Sequence, residues 1–127
     1  MMAKETKRVL LLSNHDAFRQ ALARVLNGEE DLEVAWQAGS VAETCDIHLD
    51  GIDVAVVDPL LPDGDGLELI REMSVANPRA KALVLSHELD EAVYYRALGV
   101  GAADVLFTMN TSLEEIINAV RRAATRG

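Results

Sequence analysis

A chain of 127 residues, 50% hydrophobic and 26% charged, has the length and make-up of one globular domain, long enough to bury roughly two-thirds of its unfolded surface. The formal net charge of -9 opposes nucleic-acid phosphate and anionic lipid, so direct nucleic-acid binding by this chain is not expected, and no apolar run approaches the ~20 residues of a membrane span. The opening MMAKETKRV lacks a long apolar signal core, which sets the expectation of a cytoplasmic protein, and the single cysteine, Cys45, has neither a disulfide partner nor zinc-site companions and is read as ordinary packing.

In chain order, Val9 to Leu12 is the first short apolar run and reads as a strand. Phe18, Leu22, Val25 and Leu26 follow at helical spacing, with Asp16 as candidate N-cap and Gly28 as candidate C-cap. Leu32 to Trp36 reads as a second strand, Ser40 as the cap of a second helix, and Val54 to Val57 as a third strand. Leu67, Ile70 and Met73 mark a third helix that halts at Asn77-Pro78. Ala82 to Leu85 is a fourth strand, Asp90 to Leu98 a fourth helix stopped at Gly99, and Val105 to Phe107 a fifth strand. The clearest helix comes last: Leu113, Ile116, Ile117, Val120 and Ala124 recur at three and four residues behind Thr111 and Ser112. The arginines at 121, 122 and 126 complement its dipole and read as a solvated end.

Alternation of continuous apolar strands with amphipathic helices predicts one α/β domain over residues 1–127: a doubly wound, five-stranded parallel sheet in the order 2-1-3-4-5, with helices on both faces and right-handed crossovers. Chemistry in such a sheet collects beyond the carboxyl ends of the strands, beside the switch between strands 1 and 3. The residues at those ends are Ser13, Asn14, His15, Asp58, Ser86, His87 and Thr108. Asp58 leaves the buried run DVAVV straight into PLLPDGDG and should face that crevice. A lone strand-end aspartate is as readily a helix cap, Ser13 and Asn14 are common turn formers, and unpaired loop histidines such as His15 and His87 are usually solvated, so no role is assigned to the two histidines.

Several of these stretches carry a resemblance. VLLLSNH, Asp58 with Pro62 four residues on and Asp65-Gly66 behind it, ALVLS ending in Ser86, and Gly101-Ala102 ahead of the last strand are similar to the receiver domain of two-component response regulators, over almost the whole chain. VLLLSNHDAFRQAL and GAADVLF look most like the LuxR-type branch. The resemblance implies a flavodoxin-like fold and places Asp58 at the phosphoacceptor position, where the carboxylate attacks the phosphohistidine of a sensor kinase. In that family two acidic residues ending strand 1 hold Mg²⁺, helped by a backbone carbonyl at the position of Leu60, and a lysine after strand 5 neutralises phosphate charge. Here the acidic pair falls on Ser13 and Asn14 and the lysine on Thr108. Ser86 keeps the hydroxyl that contacts the phosphoryl group, whereas the family's aromatic switch falls on Val105.

Mg²⁺ favours charged oxygens, so its binding through Asp58, Asn14, Ser13 and Leu60 is expected to be weak. Losing metal and lysine together would slow phosphotransfer by several powers of ten, at ~1.4 kcal/mol per tenfold. The resemblance implies a phosphorelay receiver that regulates an output domain or partner in transcription control and is not itself an enzyme. Its partners would be a sensor histidine kinase or another regulator, or a second copy in a homodimer. Its alternative is a pseudo-receiver acting as a phosphorylation-independent interaction or dimerisation module, which the substitutions favour. A hydrolase built on Ser13 or Ser86 with His15 or His87 is the remote third reading, since no GxSxG turn is present. Of the adjacent Tyr94 and Tyr95 at least one should point outward, since neighbouring residues on a helix are set about 100° apart.

Overall fold

The computed structural model describes residues 5–125. Five parallel strands form the main sheet: β1 (Lys7–Leu12), β2 (Leu32–Ala38), β3 (Val54–Val57), β6 (Lys81–Ser86) and β7 (Asp104–Phe107). A two-residue antiparallel pair, β4 (Leu60–Leu61) and β5 (Gly64–Asp65), lies between β3 and β6 in the chain. The order β2-β1-β3-β6-β7 is the predicted 2-1-3-4-5 once that small hairpin is set aside. Strands β1 and β6 therefore flank β3, in register from Val9 opposite Val54 and from Val54 opposite Lys81.

Alternation along each strand divides the core between two faces. Val9, Leu11, Val54, Val56, Leu83 and Leu85 pack beneath α1 (Asp16–Asn27) and α4 (Leu113–Thr125). Leu10, Leu12, Ala55, Val57, Ala82 and Val84 face the opposite layer, which includes α2 (Gly66–Ala76) and α3 (Glu91–Gly99). Burial on both sides explains why β3 reads as unbroken VAVV, fully buried.

Local chemistry sets the helix ends. The carboxylates of Asp65 and Asp90 accept from backbone N–H groups in the first turns of α2 and α3. Ser112 and Glu115 form a reciprocal capping box at the start of α4: Ser112 Oγ accepts from Glu115 N–H, and Glu115 Oε1 accepts from Ser112 N–H. Gly28 caps α1 and Asn77 caps α2 as the sequence predicts. Asp16 is not the N-cap of α1. His15 holds that position without a side-chain bond, and Asp16 is drawn instead to Arg19 at 2.8 Å.

The expected second helix behind Ser40 is reduced to a single 3-10 turn, Ala42–Thr44. Ser40 Oγ still accepts from Glu43 N–H, and Asp63 holds the turn from across the fold by accepting from Val41 and Ala42 N–H at 2.7 and 3.0 Å. These two bonds hold the Asp63 carboxyl below the usual range. Beyond the turn, of the apolar residues Ile47, Leu49 and Ile52 only Leu49 and Ile52 stand three apart, too short a pattern for a helical stripe. A cavity of about 200 Å³ opens where this segment meets α2, lined by Leu10, Ile47, Leu49, Leu69 and Met73. Cys45, expected to pack, is exposed. Arg121 also departs from the solvated end read from sequence: its guanidinium forks onto Asp31 at 2.6 and 3.0 Å and reaches Glu29 at 2.8 Å, which raises its pKa. Arg126 lies outside the described residues. No helix among the described residues is long and apolar enough to cross a membrane.

Candidate functional site

Asp58 follows the last residue of β3 and is 5% exposed, one of three buried polar residues among the described residues, with Ser13 and Ser86. Its N–H donates to Leu12 O at 2.8 Å, which continues the β1 to β3 ladder one residue past the strand. Its Oδ1 accepts from Leu60 N–H at 2.9 Å, which leaves Oδ2 turned towards the crevice. Burial pushes the Asp58 carboxyl above its ordinary range, and the Leu60 N–H, His87 and His15 only partly offset it.

The turn that presents Asp58 has little room. Gly66 N–H donates to Pro59 O at 3.0 Å, and a Cβ on Gly66 would stand 2.1 Å from the Asp58 carbonyl oxygen. Glycine is required here for close backbone approach. Asp65, which caps α2, also accepts from Arg96 Nη2 of α3 at 2.6 Å. Its desolvation is outweighed by Arg96 and by the Leu67 N–H, so its carboxyl sits below the usual range.

Two imidazoles meet at Asp58. His15 Nε2 and His87 Nε2 each lie 3.9 Å from Asp58 Oδ2, and their ring centroids are 4.1 Å apart. His87 is held from two further sides, by Thr108 Oγ1 at 3.1 Å from its Nδ1 and by the edge of Phe18 at 5.0 Å between centroids. Partial burial lowers the His87 pKa, His15 lowers it further, and Asp58 acts in the opposite direction. No role is expected for these histidines from sequence; the signal that joins them is that each closely follows a strand flanking β3.

The other strand-end residues are placed as follows. Ser13 Oγ accepts from His15 N–H at 3.2 Å, and Ser13 O accepts from Arg19 Nη1 at 2.6 Å, so the residue closes a turn. Asn14 is exposed beside it. Leu60 contributes its N–H to Asp58. Ser86 Oγ donates to Glu88 O at 2.8 Å, and Thr108 reaches the site through His87. Neither serine hydroxyl is paired with a histidine ring, so the nucleophile and base of a hydrolase are not assembled. Val105, at the switch position, is 7% exposed within the core.

The potential ligand cluster of His15, Asp58 and His87 contains one carboxylate. One carboxylate with two imidazoles is not the all-oxygen, charge-rich set that Mg²⁺ favours. Tyr94 and Tyr95 of α3 are 39% and 68% exposed, so both tyrosines reach solvent.

Comparison with known proteins agrees with this geometry. The pattern of the response regulator receiver domain matches residues 9–121. The chain is 39% identical over 88 residues to the DNA-binding transcriptional activator DevR/DosR of Mycobacterium tuberculosis, covering 68% of this chain and 41% of that protein. It is 29% identical over 120 residues to the response regulator VraR of Staphylococcus aureus, covering 94% of this chain and 57% of that protein. The chain thus spans about half the length of these curated relatives. Among solved structures, the signal receiver domain of the putative response regulator NarL from Mycobacterium tuberculosis superposes with a TM-score of 0.85 at 28% identity, covering 97% of this chain and 99% of that one. A LuxR-family response regulator from Aurantimonas gives the same TM-score at 21% identity, covering 94% of this chain and 86% of that one, and speaks to the fold alone. The chain belongs to the response regulator receiver domain family.

Proposed function

We propose that the chain, taken over residues 1–127, is the receiver module of a cytoplasmic transcription regulator in two-component signalling, that Asp58 is its phosphoacceptor, and that phosphotransfer to it is slow. The observation that carries this reading is the buried Asp58 carboxylate at the carboxyl end of the central strand, with Oδ1 fixed by Leu60 N–H and Oδ2 turned to the crevice. In the transfer, Oδ2 forms the new P–O bond while the P–N bond to the kinase imidazole breaks and the imidazole departs. Slowness follows from electrostatics. An anionic donor approaches a buried anion where Ser13, Asn14 and Thr108 replace the family's two acids and lysine, so Mg²⁺ binds weakly and no ammonium meets the phosphoryl oxygens.

Treating the purified chain with phosphoramidate and Mg²⁺ and weighing it intact tests the reading. One phosphoryl group should accumulate slowly and be absent from Asp58→Ala. No adduct at any donor concentration would remove Asp58 as acceptor. A second reading, a phosphorylation-independent interaction module, would then stand. It is favoured by the large apolar side chains exposed on and beside α3, namely Leu89 at 70%, Tyr95 at 68% and Leu98 at 45%, together with Met109 at 81% after β7. On either reading the partner is a kinase, another regulator, or a second copy of the chain, and the domain acts by presenting a surface.

A further inference from the structure

We propose that His15 Nε2, His87 Nε2 and Asp58 Oδ2 form a binding site for a divalent transition metal of the Zn²⁺ class. The site does not depend on whether Asp58 accepts phosphate. The three side chains come from three separate loops, after β1, β3 and β6, and each offers a ligand atom within 4.8 Å of those of the other two. Both imidazole nitrogens stand 3.9 Å from the carboxylate oxygen. That exceeds the 2.7–3.2 Å of an N–H to O hydrogen bond, so the groups converge without sharing a proton directly. A tetrahedral ion with bonds of about 2.0–2.1 Å holds neighbouring ligand atoms roughly 3.3 Å apart. Drawing either imidazole onto an ion shared with Asp58 therefore closes its 3.9 Å spacing by about half an ångström. The His15 side chain, 58% exposed, is free enough to make most of it.

The surroundings prepare the ligands. Thr108 Oγ1, 3.1 Å from His87 Nδ1, can accept a hydrogen bond from Nδ1–H, the tautomer that leaves the Nε2 lone pair facing Asp58. The edge of Phe18 holds the same ring from the side. Leu60 N–H occupies Oδ1 and so fixes the plane of the carboxylate that offers Oδ2. Ser13 Oγ bonds the backbone N–H of His15 and sets the turn that delivers it. Two neutral imidazoles and one carboxylate suit Zn²⁺, Co²⁺ or Ni²⁺ better than Mg²⁺, and three protein ligands leave a fourth position open to water or an exogenous ligand. Two of the replacements thus act in concert: Ser13, in place of an acidic residue, and Thr108, in place of the lysine, both orient histidines. A metal here covers Oδ2, so metal binding and phosphate on Asp58 exclude each other.

The test is calorimetric titration of the tag-free chain with Zn²⁺, in a buffer that does not chelate it, with parallel titration by Mg²⁺. The expected result is saturable binding of one Zn²⁺ per chain, with Mg²⁺ unable to displace it, and Co²⁺ giving visible absorption bands that Zn²⁺ abolishes. His15→Ala and His87→Gln should each weaken binding at least about tenfold, and Thr108→Val by a smaller factor through its hold on His87. His48→Ala, at an exposed histidine outside the cluster, should leave binding unchanged. The two histidine positions lie in loops, and circular dichroism melts confirm that the variants fold. No saturable binding, or binding that survives His15→Ala and His87→Gln together, would overturn the assignment.

Discussion

Gly66→Ala tests how tightly the backbone around Asp58 is built. A Cβ at this position would lie 2.1 Å from Asp58 O, 3.0 Å from Asp58 C and 3.1 Å from Pro59 Cα, and real Cβ contacts essentially never fall below 3.0 Å. Clearing the carbonyl oxygen alone needs 0.9 Å of movement, the difference between 3.0 and 2.1 Å. Neither side yields easily. Asp58 N–H is tied to Leu12 O at 2.8 Å, Gly66 N–H to Pro59 O at 3.0 Å, and Leu67 N–H to the Asp65 cap at 2.9 Å. All the atoms that clash are backbone, so no side chain can rotate out of the way. Overpacking of this kind costs about 2–3 kcal/mol, which for a domain of this size lowers the melting temperature by roughly 10 °C. Gly99→Ala is the matched control, because a Cβ there meets nothing within 4 Å and the residue lies in α3. It should gain about 0.5–1 kcal/mol from reduced backbone freedom. Thermal melts of both variants by circular dichroism decide the matter. A Gly66→Ala protein as stable as the parent would refute the close approach, and with it the rigid presentation of Asp58.

Two further outcomes follow from the same structure. The folded-state pKa of His87 lies below its ordinary value of 6.5, so the unfolded chain binds more protons and stability falls as pH drops through 6.5 towards that lowered value. The melting temperature of His87→Gln should therefore decline less than the parent's on acidification from neutral pH, and an equal decline would contradict the burial assigned to His87. Arg121→Lys loses the guanidinium fork to Asp31 and Glu29 and should cost about 0.5–1 kcal/mol at these partly exposed positions. The loss is measured by urea denaturation and should shrink in about 1 M salt; a loss independent of salt would point to packing instead.

The strands and most helices were legible because each carries its own signal. Val54 to Val57 is apolar throughout since both faces of β3 are covered, and α4 shows its stripe because one face is wet. The segment after Ser40 misled for a physical reason. A polar residue ahead of a loop suggests a cap, but Ile47, Leu49 and Ile52 do not sustain a helical period, and the turn at Ala42–Thr44 is held by Asp63 from across the fold, about twenty residues on in sequence. The small hairpin around Pro62 carries no apolar run of its own. At the site, Asp58 was legible from its position between a buried strand and a Pro-Gly turn. The histidine pair was not, since His15 and His87 are far apart in sequence and meet only because β1 and β6 both flank β3. Thr108 could be read as a missing lysine, but its bond to the His87 ring needed the three-dimensional arrangement.

Ser13, Asn14 and Thr108 leave the crevice without the family's charges, and restoring those charges is the most direct measurement. The initial rate of phosphoryl incorporation from phosphoramidate with Mg²⁺ should be compared between the parent chain and the combined variant Ser13→Asp, Asn14→Asp, Thr108→Lys. The variant should be faster by at least about 10²-fold, the usual contribution of one well-placed electrostatic group, and adding Asp58→Ala should abolish the gain. A parent chain that already reacts as fast as the restored one would contradict the claim.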